Sequence, residues 1–298
     1  MAAVLPFDDR DGSLWYDGKL VPWREAKTHV LTHGLHYGSS VFEGERIYSG
    51  RIYKHEEHTR RLFESAKILG MTIPYTEKEI FDACYEAARA QKIENGYVRP
   101  VAFRGSEMMA VSAQNTKIHV GIAVWEWGSY FDPATKMKGI RLAVSDWKRP
   151  APDTAPTRAK AAGLYMICTM SKHAAEAKGY ADAIMFDYRG LVAEATGANV
   201  FFVKDGALHT PTPDCFLDGI TRRSVAALAR KRQIPVIERH IEPKEMEGFE
   251  ECFLVGTAAE VTPVSEIGPY NFKPAAITET LLHDYSEDVN REQSVVTL

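Results

Sequence analysis

The chain has 298 residues, 45% hydrophobic and 10% aromatic, enough for about two domains of roughly 150 residues and too apolar for a disordered polymer. Its 36 basic and 40 acidic side chains leave a formal charge of −4, which excludes the strongly basic footprint of a nucleic-acid binder. Four cysteines (Cys84, Cys168, Cys215, Cys252) without CxxC spacing are expected as reduced thiols, not a disulfide framework.

No run of about 18 apolar residues occurs, so no membrane span is expected. Met1 to Phe7 lacks a basic start and is followed by Asp8, Asp9 and Asp11, unlike a secretory or transit peptide, and a cytoplasmic protein is expected.

In chain order, Tyr16-Asp17-Gly18-Lys19 inside Leu14–Leu20 predicts a hairpin. Leu62, Phe63, Ala66 and Leu69 predict the apolar face of a helix over Glu56–Leu69. Thr76 with Glu79 is a capping-box pair opening a second helix, with Ile80, Phe81, Cys84, Ala87 and Ala88 on one face. Tyr97–Arg104 and His119–Trp127 predict strands.

The Gly- and Pro-containing stretch at 129–139 is the expected connection between an N-terminal domain, 1–128, and a C-terminal domain, 140–298. There, Ile140–Ser145, Ala183–Asp187, Leu191–Ala195, Asn199–Lys204 and Cys252–Val255 predict strands, and Leu164–Lys178 a helix. Asp205-Gly206 is a hairpin signal leading to Ala207–Thr210, and Thr221 is expected to cap a helix carrying Val225, Leu228 and Ala229. With no regular βαβ alternation, no GxGxxG and no GxxxxGK[ST], a mixed α/β (α+β) architecture is expected rather than a doubly wound sheet.

Several residues stand out chemically. Lys160 is flanked by small residues in Ala159-Lys160-Ala161-Ala162-Gly163, which permits a planar ligand to approach and the amine to desolvate. Glu194 is one charge in an otherwise apolar and small run, and a carboxylate there requires a cationic partner. Gly219-Ile220-Thr221 opens a helix whose first amides suit a phosphate, and Gly256-Thr257-Ala258-Ala259-Glu260 reads either as an anion nest or as a second capped helix start. Tyr97 and Arg99 share one face of a strand, so a buried Arg99 needs an anion. One of Arg60 and Arg61 faces solvent, and the other is able to reach a phosphate. His55 and His58 lack a further ligand pair, and no metal is expected.

Taken in order, His36-Tyr37-Gly38-Ser39-Ser40-Val41-Phe42-Glu43-Gly44, Tyr97-Val98-Arg99-Pro100, Ala159-Lys160-Ala161, Glu194-Ala195-Thr196-Gly197-Ala198-Asn199, Gly219-Ile220-Thr221-Arg222 and Gly256-Thr257-Ala258-Ala259-Glu260 resemble the fold-type IV (class IV) pyridoxal-phosphate aminotransferases. Within them the resemblance is to the branched-chain amino acid aminotransferases. It implies two α/β domains, with pyridoxal 5'-phosphate in the cleft between them.

By that resemblance Lys160 is the Schiff-base lysine and general base, Glu194 pairs with the pyridine nitrogen, and Tyr165 bonds the phenolic oxygen. Arg61, the Ile220 and Thr221 amides beside Gly219, and the Thr257 hydroxyl hold the phosphate, while Leu217 packs on the ring. The Ala258 and Ala259 amides with Tyr97 take the substrate α-carboxylate. Tyr37, Phe42, Trp127 and Tyr130 form the apolar pocket, Arg46 stands at its rim after Glu45, and Arg99 takes the distal carboxylate of glutamate or 2-oxoglutarate.

The implied reaction is ping-pong transamination of branched-chain L-amino acids with 2-oxoglutarate, in a homodimer or higher homo-oligomer. Small amino and 2-oxo acids are its expected partners, with no nucleic acid and no membrane. The same scaffold also serves D-amino acid or (R)-amine transaminases and aminodeoxychorismate lyases, and the Tyr97-x-Arg99 pair sets this chain apart from the D-specific group. Arg104–Val111 is less Gly-rich than the family's usual loop there.

Overall fold

The computed structural model describes residues 6–128 and 136–291. They divide into two compact units: 6–128 together with Ala159–Gly163, and 136–158 together with 164–291. Tyr130 and most of the expected connection, 129–135, lie outside the described residues. The division differs from the expected one at a point that matters. The Lys160 segment packs with the first unit, because its backbone extends that unit's sheet edge through a Val41–Ala161 bridge.

The first unit contains β1 (Ser13–Tyr16), β2 (Lys19–Pro22), α1 (His33–Tyr37), β3 (Ser40–Phe42), β4 (Glu45–Tyr48), β5 (Arg51–Ile52), α2 (His55–Ile68), α3 (Glu77–Gln91), β6 (Gly96–Arg104) and β7 (Ile118–Glu126). The sheet runs β2-β1-β7-β6-β4-β5, with β3 also on β6. The expected hairpin is β1–β2, pairing Tyr16 with Lys19.

The capping box of Thr76 and Glu79 opens α3 as expected. Ile80, Ala83, Cys84, Ala87 and Ala88 are buried on it, and four of these are small enough to let the helix lie close to the sheet. Phe81 is only half-buried and stacks on His55 at 4.2 Å.

On α2 the buried face is more polar than predicted. His55, His58, Thr59 and Ser65 are buried with Leu62 and Ala66, while Phe63 and Leu69 are half-exposed. The cause is opposite the helix: Glu43 and Glu45 are also buried, and His58 and His55 hydrogen-bond to them at 2.7 and 2.6 Å.

The second unit contains β8 (Ile140–Val144), α4 (Met166–Ala177), β9 (Asp182–Phe186), β10 (Val192–Ala195), β11 (Asn199–Lys204), β12 (Ala207–Pro211), α5 (Ile220–Lys231), β13 (Val236–Arg239), β14 (Glu251–Gly256), β15 (Glu260–Ile267), β16 (Tyr270–Asn271) and α6 (Ala276–Asn290). A 3-10 turn over Ala162–Tyr165 replaces the first turn of the helix expected from Leu164. The sheet order is β10-β9-β8-β15-β14-β11-β12-β13, and a further pairing of β10 with β11 joins β8, β9, β10, β11, β14 and β15 into a closed ring. Leu142, Ile184, Val192, Ala195, Val200, Phe202, Cys252, Leu254 and Val264 form one buried cluster drawn from all of these strands. The ring closes at the pair Glu194–Asn199, so the sheet that builds the core also fixes the one acidic residue of β10.

Helix α6 has no capping residue of its own and is not apparent from the sequence. Glu251 on β14 supplies the cap from a distance. Its buried carboxylate accepts from the amides of Ala275, Ile277 and Thr278 at 3.1, 3.3 and 2.9 Å, an arrangement that contributes about 1–3 kcal/mol.

One expected helix cap differs, and one of the two readings of 256–260 falls away. Thr221 lies inside α5 rather than at its cap, which is Gly219. Gly256-Thr257-Ala258-Ala259-Glu260 is no helix start but the tight turn of the β14–β15 hairpin, with Gly256 paired to Glu260. The strand partner supplies the hydrogen bonds that a capping box would otherwise need. Among the described residues no helix is long and apolar enough to cross a membrane.

Candidate active site

In the first unit the chemistry gathers around Phe42. The Lys160 backbone is pinned on both sides, its N–H donating to Ser65 Oγ at 3.0 Å and its carbonyl accepting from the Phe42 N–H at 3.1 Å. Ala159 and Ala161 are buried, while Lys160 itself is half-buried. Its Nζ stands 5.0 Å from the centre of the Phe42 ring. The Arg99 guanidinium stands 4.8 Å from the same ring and 5.3 Å from that of Tyr97. Two cations therefore flank one aromatic side chain, which stabilises each by cation–π attraction and gathers positive charge where an anionic substrate would be drawn.

Arg99 donates to the Tyr97 hydroxyl at 3.3 Å, and its Nε is buried with no hydrogen-bond partner. Among the described residues no carboxylate pairs with Arg99; a buried guanidinium edge left so is a site for one. Tyr97 continues the wall, its ring 5.1 Å from Trp125 and 5.2 Å from Trp127. Arg46 pairs with Tyr97 across β4 and β6 and donates to the Trp127 carbonyl at 3.3 Å. Gly44 makes room for this wall, since a Cβ there would lie 1.9 Å from the Tyr97 hydroxyl oxygen.

Tyr37 is different. It is 47% exposed on α1, and its one ring contact among the described residues is His33. Glu45, adjacent in sequence to Arg46, is buried on the opposite face against His55, so it does not charge the rim beside Arg46.

Arg61 points inward, as the reading of the Arg60-Arg61 pair requires, and Arg60 is exposed. It meets a group the sequence did not reveal. Its Nε and Nη2 donate to the two oxygens of Glu43 at 2.6 and 2.8 Å. Burial by itself would push the Glu43 carboxyl up; the attraction and hydrogen bonds of Arg61 and His58 outweigh that and hold it well below the usual carboxylate range.

In the second unit the centre is Glu194. Its Oε2 accepts from Asn199 Nδ2 at 3.1 Å, and its Oε1 lies 3.4 Å from Arg149 Nε. Arg149 is buried, bridges by its backbone to Asp187, and donates to Cys168 Sγ at 3.3 Å. Nothing in the spacing of Arg149 marks it as the neighbour of Glu194; its distance in sequence is bridged only by the sheet.

Asn199 also donates to the Leu217 carbonyl at 3.0 Å, tying the half-buried Leu217 to the same spot. Its Oδ1 lies 2.2 Å from where a Cβ on Gly219 would be, so only glycine fits there. Gly219 has no side chain to cap α5, and the first turn carries no acidic residue, so the Ile220 and Thr221 amides form an electropositive end. The Thr257-Ala258-Ala259 turn follows Gly256, whose Cβ position would be 3.3 Å from the carbonyl oxygen of Gly197, in the turn between Glu194 and Asn199. Tyr165 ends the 3-10 turn and is half-buried.

Comparison with known proteins shows the family. Residues 40–267 match the family model for amino-transferase class IV. The chain is 43% identical over 263 residues to the branched-chain-amino-acid aminotransferase of Pseudomonas aeruginosa, covering 87% of this chain and 86% of that one. The crystal structure of the T.th. branched-chain amino acid aminotransferase with pyridoxamine 5'-phosphate superposes with a TM-score of 0.92 at 36% identity, covering 95% of this chain and 96% of the other. The same enzyme complexed with N-(5'-phosphopyridoxyl)-L-glutamate gives 0.90 at 36% identity, over 94% and 95%. With likeness of this extent in sequence and in structure, the chain belongs to the class IV aminotransferases, in the branched-chain amino acid aminotransferase family, and is a pyridoxal-phosphate-dependent transaminase.

Proposed function

We propose that the protein moves the amino group of leucine, isoleucine or valine to 2-oxoglutarate, and that Lys160 and Glu194 carry the chemistry. The observation that supports the dual specificity best is Arg99, a guanidinium without a carboxylate partner among the described residues, beside the aromatic wall of Phe42, Tyr97 and Trp127. An aliphatic side chain packs on the rings, and the distal carboxylate of glutamate pairs with Arg99. The glutamate adduct of the T.th. enzyme is in keeping with this.

The residues present fit pyridoxal 5'-phosphate. Glu194 is a buried carboxylate able to face a ring nitrogen, and Gly219 opens a helix end that no side chain caps. Arg61, the Ile220 and Thr221 amides and the Thr257 hydroxyl would hold the phosphate, Leu217 the ring face, and Tyr165 the phenolic oxygen. When bound, the cofactor supplies an aldehyde carbon that takes up the amino group and a ring that delocalises the electron pair left at Cα.

Lys160 Nζ takes the Cα proton and hands it on, acting as general base. Glu194 holds a proton on the ring nitrogen, with the permanently charged Arg149 steadying the carboxylate from behind. The Ala258 and Ala259 amides and Tyr97 orient the α-carboxylate, and Arg46 and Arg99 select at the side-chain end. Tyr97 and Arg99 on one strand face favour this reading over a D-amino acid or (R)-amine transaminase. A homodimer completes it, since Val30, Leu31, Leu35 and Tyr37 present an exposed apolar group around α1 that a second copy would cover.

Arg99→Ala tests the specificity. We expect kcat/KM for L-glutamate to fall by about 10²-fold, the worth of a desolvated charge pair, and that for L-leucine to change by less than about threefold. Equal losses on both substrates contradict the role.

A further inference from the structure

Arg61 and Glu43 form a unit that the phosphate role of Arg61 does not by itself explain. Glu43 is fully buried, 0% exposed, at the approach to β4. Its backbone is fixed by donation to the Pro100 carbonyl at 2.9 Å. Its carboxylate accepts from Arg61 twice, from His58 Nδ1 at 2.7 Å, and at 3.3 Å from the Gly44 amide. A lone structural carboxylate in a core is normally avoided, and four donated bonds converging on this one make it a rigid anchor.

The geometry of the pair is specific. Glu43 takes Nε–H and one Nη2–H, the side edge of the guanidinium fork. Because the guanidinium is planar, that engagement also fixes the direction of the end edge, formed by Nη1 and the second Nη2–H, which faces a different direction from the edge on Glu43. An arginine on the surface of a helix samples many rotamers and loses that freedom when it binds an anion. Here the freedom is already lost, since Arg61 is fixed from below by Glu43 and Glu43 from the side by His58.

We propose that Glu43, supported by His58, is a positioning residue that pre-orients the outer edge of Arg61 for the cofactor phosphate; this rests on the reading of Arg61 as a phosphate ligand. Glu43 does not touch the phosphate. Two effects oppose each other. A negative charge behind Arg61 weakens its Coulomb pull on a dianion, and fixed orientation strengthens binding. A phosphate held by the outer edge would lie farther from Glu43 than the guanidinium does, so orientation is expected to outweigh the longer-range repulsion.

The test compares pyridoxal 5'-phosphate with pyridoxal, which lacks the phosphate, as ligands of the full chain freed of cofactor, followed by visible absorbance. In Glu43→Gln, which keeps the side-chain shape, the affinity for pyridoxal 5'-phosphate is expected to fall about tenfold, the worth of one charge-assisted hydrogen bond. Affinity for pyridoxal stays the same, and kcat at saturating cofactor stays within about threefold. His58→Leu shifts the same ratio in the same direction by a smaller factor, so the test stands if the Glu43 variant does not fold.

A fall in both affinities together makes Glu43 merely structural and overturns the proposal, as does an unchanged or increased preference for the phosphorylated ligand. Arg61→Ala separates the two levels. If it leaves the phosphate preference intact, the reading of Arg61 fails and the proposal with it. If Arg61→Ala abolishes the preference and the Glu43 and His58 variants do not move it, Glu43 alone is refuted.

Discussion

Replacing Lys160 by Ala lowers single-turnover conversion of L-leucine by about 10⁴-fold, the upper range for a general base. The local packing explains why the loss is not recovered. Ala159 and Ala161 are buried on either side, and the backbone of residue 160 is bound to Ser65 and Phe42, so the segment does not shift to bring another side chain into the same position. On the proposed reading cofactor affinity falls much less, because the proposed phosphate ligands, Arg61 and the α5 terminus, are unchanged. Turnover within tenfold of wild type after this change removes Lys160 from the chemistry.

Replacing Glu194 by Ala slows the proton-transfer step by about 10²–10³-fold, comparable to the loss of one preorganised electrostatic partner. The carboxylate is held by Asn199 on one oxygen and by Arg149 on the other. Its removal therefore strips a buried Arg149 of that carboxylate, and on the proposed reading the uncompensated positive charge would disfavour a protonated ring nitrogen. Glu194→Gln keeps the size but not the charge, so it is expected to resemble Glu194→Ala in rate and wild type in stability. The isotope effect with Cα-deuterated leucine rises in both variants, as proton transfer becomes the slow step. An unchanged isotope effect and rate contradict the assignment.

Most of the element pattern is legible in the sequence where the signal is local. The 16–19 hairpin, the capping box of Thr76 and Glu79, and the Asp205-Gly206 turn are set by residues a few positions apart, and each lies where expected. Long-range partners are a different matter. Glu43 and Arg61, Glu194 and Arg149, and Glu251 with the start of α6 meet only after the chain has folded, and no spacing rule links them. Thr257 with Glu260 shows the converse: a local signature identical to a capping box is outcompeted by the strand pairing of β14 with β15. The Lys160 segment shows how a boundary moves. A short stretch beyond the expected connection rejoins the first sheet, which local composition gives no means of seeing.

That one pocket transaminates both branched-chain L-amino acids and glutamate is tested most directly by the half-reaction of the pyridoxal-phosphate-loaded enzyme with each amino donor alone. The cofactor's visible spectrum follows the reaction, and chiral analysis identifies the donor consumed. L-leucine, L-isoleucine, L-valine and L-glutamate are each expected to convert the cofactor to its amine form, with 2-oxo acid formed in equal amount, while D-alanine and (R)-1-phenylethylamine leave the spectrum unchanged. Rapid conversion by D-alanine or the (R)-amine with no response to L-leucine and L-glutamate would contradict it.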